Sequence, residues 1–350
     1  MKKSKNKKVL VLFSRLSDYM LNVFVNHVNN NDMRFHVVIK KPDLSEAPFQ
    51  FNLNYGNIDF YDQEDFDKNQ LLDFVNRLEP DLIICSGWSN SMYNHIVNKK
   101  NKKIDSILSM DNQWNGKFKQ YLGLFYSRLF IVSKYKKIWV PGTPQINYAK
   151  KLGFRNEKIM SGWYVANKNN FLNENTITAV KKRFVFVGRY IEVKGIRDIC
   201  QAFISLDETY ENDWELYCIG TGPLKEFLPK HNRIHHLGFL QPKELKVFSK
   251  ETAVFVLPSY FEPWGLVVQE FALAGFPLIV SDSVGAASQF VDENNGIIFK
   301  SKNIKSLKEA MRSFITKDNN QLLAMSVVSI EKAQKVNQKD WSDNLNKLLN

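Results

Sequence analysis

The sequence predicts an α/β protein with two Rossmann-like domains, and three observations lead to this prediction. The chain has 350 residues, about twice the usual length of a single domain. Short apolar runs alternate with amphipathic stretches along it, which is typical of a parallel sheet covered by helices. A polar, Asn-rich stretch near residues 153–180 interrupts the alternation and predicts a linker between the domains.

The first domain is predicted over residues 1–155. Its strands are expected at five apolar runs, each of which ends near polar or small residues: VLVLF (9–13), RFHVVI (34–39), DLIIC (81–85), SILSM (106–110) and KIWVP (137–141). Residues 71–78 and 119–131 have the apolar spacing of helices.

The second domain is predicted over residues 181–335, after a linker over residues 156–180. Its strands are expected within six runs: RFVFVGR (183–189), WELYCIGTG (214–222), RIHHLGF (233–239), AVFVLPS (253–259), PLIVSD (277–282) and GIIF (296–299). Residues 336–350 predict a C-terminal helix with Trp341 and Leu345 on its apolar side. We expect this helix to pack on the first domain.

The formal net charge of +12 indicates an anionic partner. Residues 99–137 contain only Asp105 and Asp111 as acids, and their basic residues are Lys99, Lys100, Lys102, Lys103, Lys117, Lys119, Arg128, Lys134, Lys136 and Lys137. A nucleic acid, an anionic membrane and phosphorylated small molecules all fit this charge, as does an ordinary Lys-rich surface. The sequence has no helix-turn-helix, zinc-binding or RNA-binding signature, so we expect no nucleic-acid partner.

Cysteine usage and the apolar runs indicate a compartment. The three cysteines, Cys85, Cys200 and Cys218, lie in apolar runs without metal-type spacing, which fits buried thiols in a reducing environment. The run VLVLF is too short for a signal peptide, and no run reaches the roughly 18 apolar residues that span a bilayer. We expect a soluble, cytoplasmic protein.

Candidate ligand-binding residues follow the strands of the second domain, because open parallel sheets bind ligands at the carboxyl ends of their strands. Gly188-Arg189 and Lys194 follow the first strand, where a guanidinium and an ammonium group can together neutralise a diphosphate. Gly220 and Gly222 follow the second strand and let a phosphate approach the backbone.

A third strand ends in Gly238-Phe239, where a nucleobase can lie against the backbone and an aromatic edge. Each of these strand-end signals also fits an ordinary turn or a basic helix start. Taken singly, they do not define a site.

The most informative segment is AVFVLPSYFEPWGLVVQEFALAGFPLIVSD, residues 253–282. It predicts a strand, a loop that presents Glu262, and a helix from about Trp264 to Ala274. The free amides near residues 265–267 (Gly265, Leu266 and Val267) would then form an anion site at the helix start.

Glu270 is expected about two turns into this helix, beside apolar residues. A carboxylate at the margin of an apolar face needs a polar partner, and a ribose diol can donate two hydroxyl hydrogen bonds to it. Glu262, at the mouth of the site, would face the transferred group.

With these motifs in place, the second domain resembles the group 1 glycosyl transferase domain of glycosyltransferase family 4, among the GT-B enzymes. The matching features follow the family's order over about residues 183–300: FVGRYIEVKG, YCIGTGPL, HHLGFL, LPSYFEPWGLVVQEFALAGFPLIVSDSVGA and NNGIIF. Glu262 and Glu270, with seven residues between them, match the motif of the group's retaining enzymes.

The resemblance implies two Rossmann-like domains with a deep cleft between them, and transfer of a sugar from a UDP- or GDP-sugar with retention of anomeric configuration. It implies that no metal or other cofactor is required, because basic side chains stabilise the leaving nucleotide. Arg189 and Lys194 would hold the donor diphosphate, Glu262 would contact the donor sugar and Glu270 the ribose. The full donor-binding set is Gly188, Arg189, Lys194, Gly220, Gly222, Gly238, Phe239, Glu262, Trp264, Gly265, Leu266, Val267 and Glu270.

The first domain departs from the commoner family pattern. Many relatives carry a Gly-Gly loop after the first strand, whereas residues 13–17 read FSRLS. Many also place a histidine after the fourth or fifth strand, whereas here Asp111 follows SILSM. Asp111 either orients or deprotonates the acceptor or is a structural cap, and the sequence leaves both open. The DxD-like string at residues 65–67 is interpreted as a solvated helix start.

The resemblance also implies a glycan or polyprenyl-diphosphate-linked acceptor at the inner face of the cell membrane, in bacterial surface polysaccharide or glycoconjugate assembly. Residues 99–137 would then attach the protein peripherally to anionic lipid. Their aromatic residues, Trp114, Phe118, Tyr121, Phe125 and Tyr126, either enter the interface or form ordinary core.

The same fold also serves other functions. An epimerase would not carry the paired glutamates, and a phosphorylase would need a Schiff-base lysine. The remaining alternative is a catalytically inactive, sugar-nucleotide-binding partner protein. The presence of Arg189, Lys194, Glu262 and Glu270 together argues against such a loss of activity.

Overall fold

The computed structural model describes residues 7–14, 16–30, 32–40, 55–173 and 176–349. The chain divides into two compact units, one made of Met1–Val165 with Asn337–Asn350 and the other of Ala166–Val336. Each unit contains one parallel sheet, so the predicted α/β class with two Rossmann-like domains is confirmed.

The sheet of the first unit has seven parallel strands in the order β3-β2-β1-β4-β5-β6-β7. The strands are β1 (Lys7–Phe13), β2 (Met33–Ile39), β3 (Ile58–Asp62), β4 (Leu82–Ser86), β5 (Asp105–Ser109), β6 (Lys137–Trp139) and β7 (Ile159–Met160). All five predicted strands are present. β3 and β7 were not predicted, because β3 alternates polar and apolar residues at a sheet edge and β7 has only two residues.

In the described part of the first unit, the helices before its last strand are α1 (Asp18–Asn30), α2 (Lys68–Leu78), α3 (Ser91–Lys99), α4 (Phe118–Phe130) and α5 (Thr143–Leu152). Leu10 and Leu12 of β1 point to one face, where they join a core with α2, α3 and α5. α2 begins at a capping box: the Asp67 carboxylate accepts from the Asn69 and Gln70 amides. The DxD-like string is therefore a helix start, as interpreted, although it follows a half-buried strand.

The second unit has six parallel strands in the order β10-β9-β8-β11-β12-β13. They are β8 (Arg183–Val187), β9 (Glu215–Ile219), β10 (Ile234–Gly238), β11 (Val254–Leu257), β12 (Leu278–Ser281) and β13 (Gly296–Phe299), one in each predicted run. The helices are α6 (Lys168–Phe171), α7 (Ile196–Thr209), α8 (Pro242–Phe248), α9 (Val267–Leu273), α10 (Ala287–Phe290), α11 (Ile304–Ile315) and α12 (Asn319–Gln334).

The Asn-rich segment from residue 156 to residue 180 contains more structure than a linker. β7 completes the first sheet, and the buried Trp163 follows it. The chain passes to the second unit between Val165 and Ala166, and α6 then buries Phe171. A few large apolar residues within the polar stretch are sufficient to anchor both of its ends.

A last helix, α13 (Gln338–Leu349), belongs to the first unit. Trp341 is buried, stacks on Trp139 with ring centroids 5.1 Å apart, and donates from its indole Nε1 to the Trp163 carbonyl at 3.2 Å. Phe24 and His27 of α1 contact the same indole ring. An aromatic cluster thus holds the C-terminal helix against α1 and β6.

Within the described ranges, none of the helices is both long enough and apolar enough to cross a bilayer. All three cysteines, Cys85, Cys200 and Cys218, are buried free thiols, as the apolar runs predicted.

We expect Trp341→Ala to lower the free energy of unfolding by about 3 kcal/mol, because it empties a fully buried indole site and removes a buried hydrogen bond. Urea unfolding followed by circular dichroism measures this. Lys347→Ala, on the exposed side of the same helix, is the control and should change stability by less than about 0.5 kcal/mol. Equal effects of the two substitutions would contradict the role of the aromatic cluster.

We expect the free energy of unfolding to decrease as the pH is lowered from neutral to 5, because of His27. Burial lowers the pKa of His27 from its ordinary 6.5 to about 4. Below pH 6.5 the His27 imidazole takes up a proton in the unfolded chain, whereas in the folded chain it stays neutral down to about pH 4. This difference lowers the free energy of unfolding by about 2 kcal/mol at pH 5. His27→Leu should remove this part of the pH dependence in urea titrations, and His95→Leu should retain it. An unchanged pH dependence in His27→Leu would disprove the assignment.

Candidate active site

The loops that follow β8 and β9 pack backbone against backbone. The Gly188 amide donates to the Ile219 carbonyl at 3.0 Å. A Cβ at Gly220 would lie 2.0 Å from the Gly188 carbonyl oxygen, and one at Gly222 would lie 2.6 Å from the Tyr190 carbonyl oxygen. Gly220 and Gly222, which the sequence suggested as places where a phosphate approaches the backbone, are therefore also needed for the two loops to pack, because a side chain at either position would clash.

Lys194 and Glu262 form an ion pair at the switch point of the second sheet, between the loops after β8 and β11. Their side chains are 23% and 15% exposed, so solvent screens the pair only partly. The Glu262 amide donates to the Ser283 carbonyl, and the Glu262 carbonyl accepts from the Gly285 amide, each at 3.1 Å. Loops from three neighbouring strands, β8, β11 and β12, thus meet at Glu262.

Tyr260 ties the Glu262 loop to the Lys194 loop. Its amide donates to the Val193 carbonyl at 2.8 Å, and its hydroxyl donates to Asp198 Oδ1 at 2.8 Å. Burial, together with this hydrogen bond, raises the pKa of Tyr260, so the hydroxyl stays protonated as a donor. Sequence reasoning missed Tyr260 and Asp198, because no motif links a loop tyrosine to an aspartate 62 residues earlier.

Arg189 is exposed at the same strand end, and its carbonyl accepts from the Ile191 amide at 3.0 Å. The Gly238 carbonyl, at the end of β10, accepts from the Gly220 amide at 2.7 Å. Gly188, Gly220 and Gly238 therefore form a continuous edge at the carboxyl ends of β8, β9 and β10, and Phe239 follows this edge.

The helix that carries Glu270 is shorter than predicted. α9 begins at Val267 rather than Trp264, so Glu270 lies in its first turn and not two turns into it. Gly265 has φ +87°, a left-handed conformation that delays the helix start. The Trp264 side chain is buried against Phe290, so it packs inward. Glu270 is half-buried, and its amide donates to the Leu266 carbonyl at 3.1 Å.

The first unit has its own polar cavity, of about 190 Å³, at the carboxyl ends of its central strands. It is lined by Phe13, Ser86, Gly87, Ser89, Ser109, Met110, Asp111, Asn112, Trp163 and Tyr164. β1 and β4 are the strands at which the strand order reverses, and ligands of open α/β sheets bind at such a switch point. In the unusual loop after β1, Arg15 lies outside the described residues.

Asp111 lines this cavity and is held on two sides. Its Oδ2 accepts from the Tyr164 hydroxyl at 3.2 Å, and its carbonyl accepts from Gln145 Nε2 at 3.0 Å. Burial raises the pKa of Tyr164, which keeps that hydroxyl a donor. The N-cap position of α4 belongs to Lys117, so Asp111 does not cap the helix that follows it.

Among the described residues, no group of three or more His, Cys, Asp or Glu side chains could hold a metal ion. The cationic groups at the second sheet's switch point are Lys194 and Arg189, placed beside backbone loops. This arrangement can bind an anion by direct charge pairing.

Residues 167–336 match the family described as glycosyl transferases group 1. An uncharacterized glycosyltransferase of Methanocaldococcus jannaschii is 31% identical over 147 residues, 40% of this chain and 37% of that protein. The alpha-monoglucosyldiacylglycerol synthase of Acholeplasma laidlawii is 32% identical over 132 residues, 35% of this chain and 32% of that protein. The chain spans about a third of the length of these curated relatives.

The fold is that of the GT-B glycosyltransferases. An Anabaena protein, HepE, solved in complex with UDP and glucose, superimposes with a TM-score of 0.72 over 98% of this chain and 99% of its own, at 13% identity. Two Rossmann-like domains of this kind define the GT-B class. The match to the group 1 glycosyl transferase family covers residues 167–336, which correspond to the second unit.

We expect Gly195→Ala to destabilise the protein more than Gly116→Ala, by about 2 kcal/mol. The two glycines have similar left-handed φ values, +69° and +73°. A Cβ at Gly195 would lie 2.2 Å from the Pro258 carbonyl oxygen, whereas one at Gly116 meets nothing within 4 Å. Thermal and urea unfolding of the two variants compare them directly. Equal destabilisation would mean that the loops of Lys194 and Glu262 can separate without cost.

Proposed function

We propose that this protein is a retaining glycosyltransferase that moves a sugar from a UDP- or GDP-sugar to a glycan or lipid-linked acceptor. The main support is the Lys194–Glu262 pair at the switch point of the second sheet, within the segment that matches the family. A nucleotide-sugar donor is also consistent with the UDP and glucose bound by the Anabaena HepE structure.

In this proposal the donor diphosphate lies at the loops after β8 and β9. Arg189 and Lys194 bind its oxygens, and the backbone at Gly220 and Gly222 approaches it without side chains in the way. The same two cations stabilise the negative charge that develops as the bond from the anomeric carbon to the phosphate oxygen breaks. Catalysis then needs no metal ion.

The proposed roles of the glutamates follow from their positions. Glu262, at the meeting point of three loops, contacts the donor sugar once Lys194 turns to the diphosphate. Glu270 accepts hydrogen bonds from the ribose hydroxyls, and the amides of Gly265, Leu266 and Val267 contact sugar and phosphate. Gly238 and Phe239 line the nucleobase.

We propose that the acceptor binds in the polar cavity of the first unit. Asp111, oriented by the Tyr164 hydroxyl, accepts a hydrogen bond from the attacking acceptor hydroxyl. That hydroxyl attacks the anomeric carbon on the face that the phosphate leaves, and its proton passes to the departing phosphate oxygen. Retention of configuration results.

We further propose a polyprenyl-diphosphate-linked or other lipid-linked acceptor at the inner face of the cell membrane, as in surface polysaccharide assembly. Residues 99–137 would hold the protein there as a peripheral membrane protein. The similarity to a relative named as a glucosyldiacylglycerol synthase supports an acceptor of lipid character.

A donor screen tests the proposal. Purified protein is incubated without metal with a panel of UDP- and GDP-sugars, and thermal shift and slow hydrolysis are measured. We expect one donor to raise the melting temperature and to be hydrolysed. Glu262→Gln should lower its hydrolysis about 100-fold, and Arg189→Ala should weaken both binding and hydrolysis.

The control is Lys182→Ala, which removes an exposed cation paired with Asp213 elsewhere in the second unit and should leave both signals unchanged. Donor stabilisation with no hydrolysis or transfer to any acceptor would favour the inactive, sugar-nucleotide-binding alternative. No stabilisation by any donor would refute donor binding at this site.

A further inference from the structure

Helix α4 presents its apolar side outward. Seven of its large apolar side chains are exposed: Phe118, Tyr121, Leu122, Phe125, Tyr126, Leu129 and Phe130. Phe118 and Phe125 are 77% and 70% exposed, whereas Ser127 is buried. A helix that covers a sheet normally buries its apolar face and exposes its polar one. α4 exposes most of its apolar side chains instead. The sequence expectation of ordinary core does not hold for Phe118, Tyr121, Phe125 and Tyr126, whereas Trp114, before the helix, packs against the core of the first unit.

Four of the exposed apolar residues form one stripe. Phe118, Leu122, Phe125 and Leu129 follow one another at spacings of four, three and four residues, which places them on a single helix face. At 100° per residue, Lys119 and Arg128 lie on opposite sides of that stripe. An apolar stripe with a cation on each side is the arrangement of helices that lie in the plane of a membrane interface.

The sequence around α4 is cationic. Residues 112–156 contain no Asp or Glu, and their basic residues are Lys117, Lys119, Arg128, Lys134, Lys136, Lys137, Lys150, Lys151 and Arg155. α5, which packs against α4, contributes the exposed Lys150 and Lys151. The chain on both sides of α4, and α5 beside it, therefore carry an excess of positive charge, although Lys136 is paired with Asp105.

We propose that α4 is a membrane-binding helix that inserts its apolar stripe among the lipids of an anionic bilayer. The positive charge beside the stripe favours an anionic bilayer over a second copy of the chain as the partner. In a two-fold contact through α4, the cations beside each stripe would face those of the partner, and residues 112–156 supply no carboxylate to pair with them. Anionic lipid headgroups supply the missing negative charge.

α4 is also tied to the cavity of the first unit. The loop of residues 112–117 joins Asp111 to the start of the helix, and Gln120 holds that loop in place. Gln120 Nε2 donates to the Gln113 carbonyl at 2.8 Å, and its Oε1 accepts from the Asn115 amide at 2.8 Å. A bilayer bound to α4 would place the cavity near the headgroups. This last step rests on the proposed function, since it assumes that the cavity binds the acceptor.

Vesicle co-sedimentation tests the inference. The full chain is mixed with vesicles of phosphatidylcholine alone and of phosphatidylcholine with phosphatidylglycerol. We expect binding to the anionic vesicles, weakened by salt. The variant Phe118→Ser/Leu122→Ser/Phe125→Ser/Leu129→Ser should bind them at least about tenfold more weakly. A matched control, Phe227→Ser/Val247→Ser/Val327→Ser, replaces exposed apolar residues of the second unit and should bind like the wild type.

A second variant separates charge from apolar insertion. Lys119→Gln/Arg128→Gln should weaken binding to the anionic vesicles several-fold and reduce its salt dependence. Because all substituted positions are exposed, the variants should melt at the wild-type temperature, which confirms that they fold.

Three results would overturn the inference. The first is that the wild type binds neither kind of vesicle, and the second is that the stripe variant binds as well as the control. The third is that the wild type does not bind vesicles but forms a dimer in sedimentation velocity, and that the stripe substitutions abolish this dimer. Donor hydrolysis without vesicles is measured in parallel, and the stripe variant should retain it. Loss of vesicle binding with unchanged hydrolysis supports the inference, and vesicle binding without any donor response would refute only the proposed function.

Discussion

The side-chain amide of Gln269 is buried in the second unit. Its hydrogen bonds hold the two segments where the chain enters and leaves this unit. Its Oε1 accepts from the Ala166 amide at 3.0 Å, where the chain enters the unit. Its Nε2 donates to the Ala333 and Val336 carbonyls at 2.9 and 2.8 Å, where the chain leaves. An unpaired buried amide costs about 1–3 kcal/mol, so these segments and α9 keep one arrangement. The helix that carries Glu270 is thereby fixed to the unit's two ends.

A second constraint acts at the strand ends, where backbone approaches backbone too closely for side chains. Gly195 lies against Pro258, and Gly220 lies against Gly188. These contacts align the loops after β8, β9 and β11, and the Tyr260–Asp198 hydrogen bond holds two of them together. The backbone of the proposed donor site is therefore held in place by contacts among its own loops, and ordering less backbone on binding lowers the entropy cost.

The first unit combines a conventional interior with an unconventional surface. Its aromatic cluster around Trp341 buries the C-terminal helix, whereas α4 exposes residues of the same chemical type. The difference arises from their neighbours: Trp341 meets Trp139 and Trp163, whereas α4 contacts α5 through its opposite side. Hydrophobic character alone does not distinguish a core residue from a residue that meets another apolar phase.

The sequence by itself determined the class of fold and the strand positions, because buried parallel strands are continuous apolar runs and their carboxyl ends carry the ligand-binding loops. Eleven of the thirteen strands in the described residues were predicted, and the two exceptions are a half-polar edge strand and a two-residue strand. Only the tertiary structure decided the late start of α9, the clamp between Tyr260 and Asp198, the orientation of Asp111 by Tyr164 and the outward face of α4. Each of these depends on contacts between residues distant in sequence or on which helix side meets a neighbour, and neither property is encoded in local spacing.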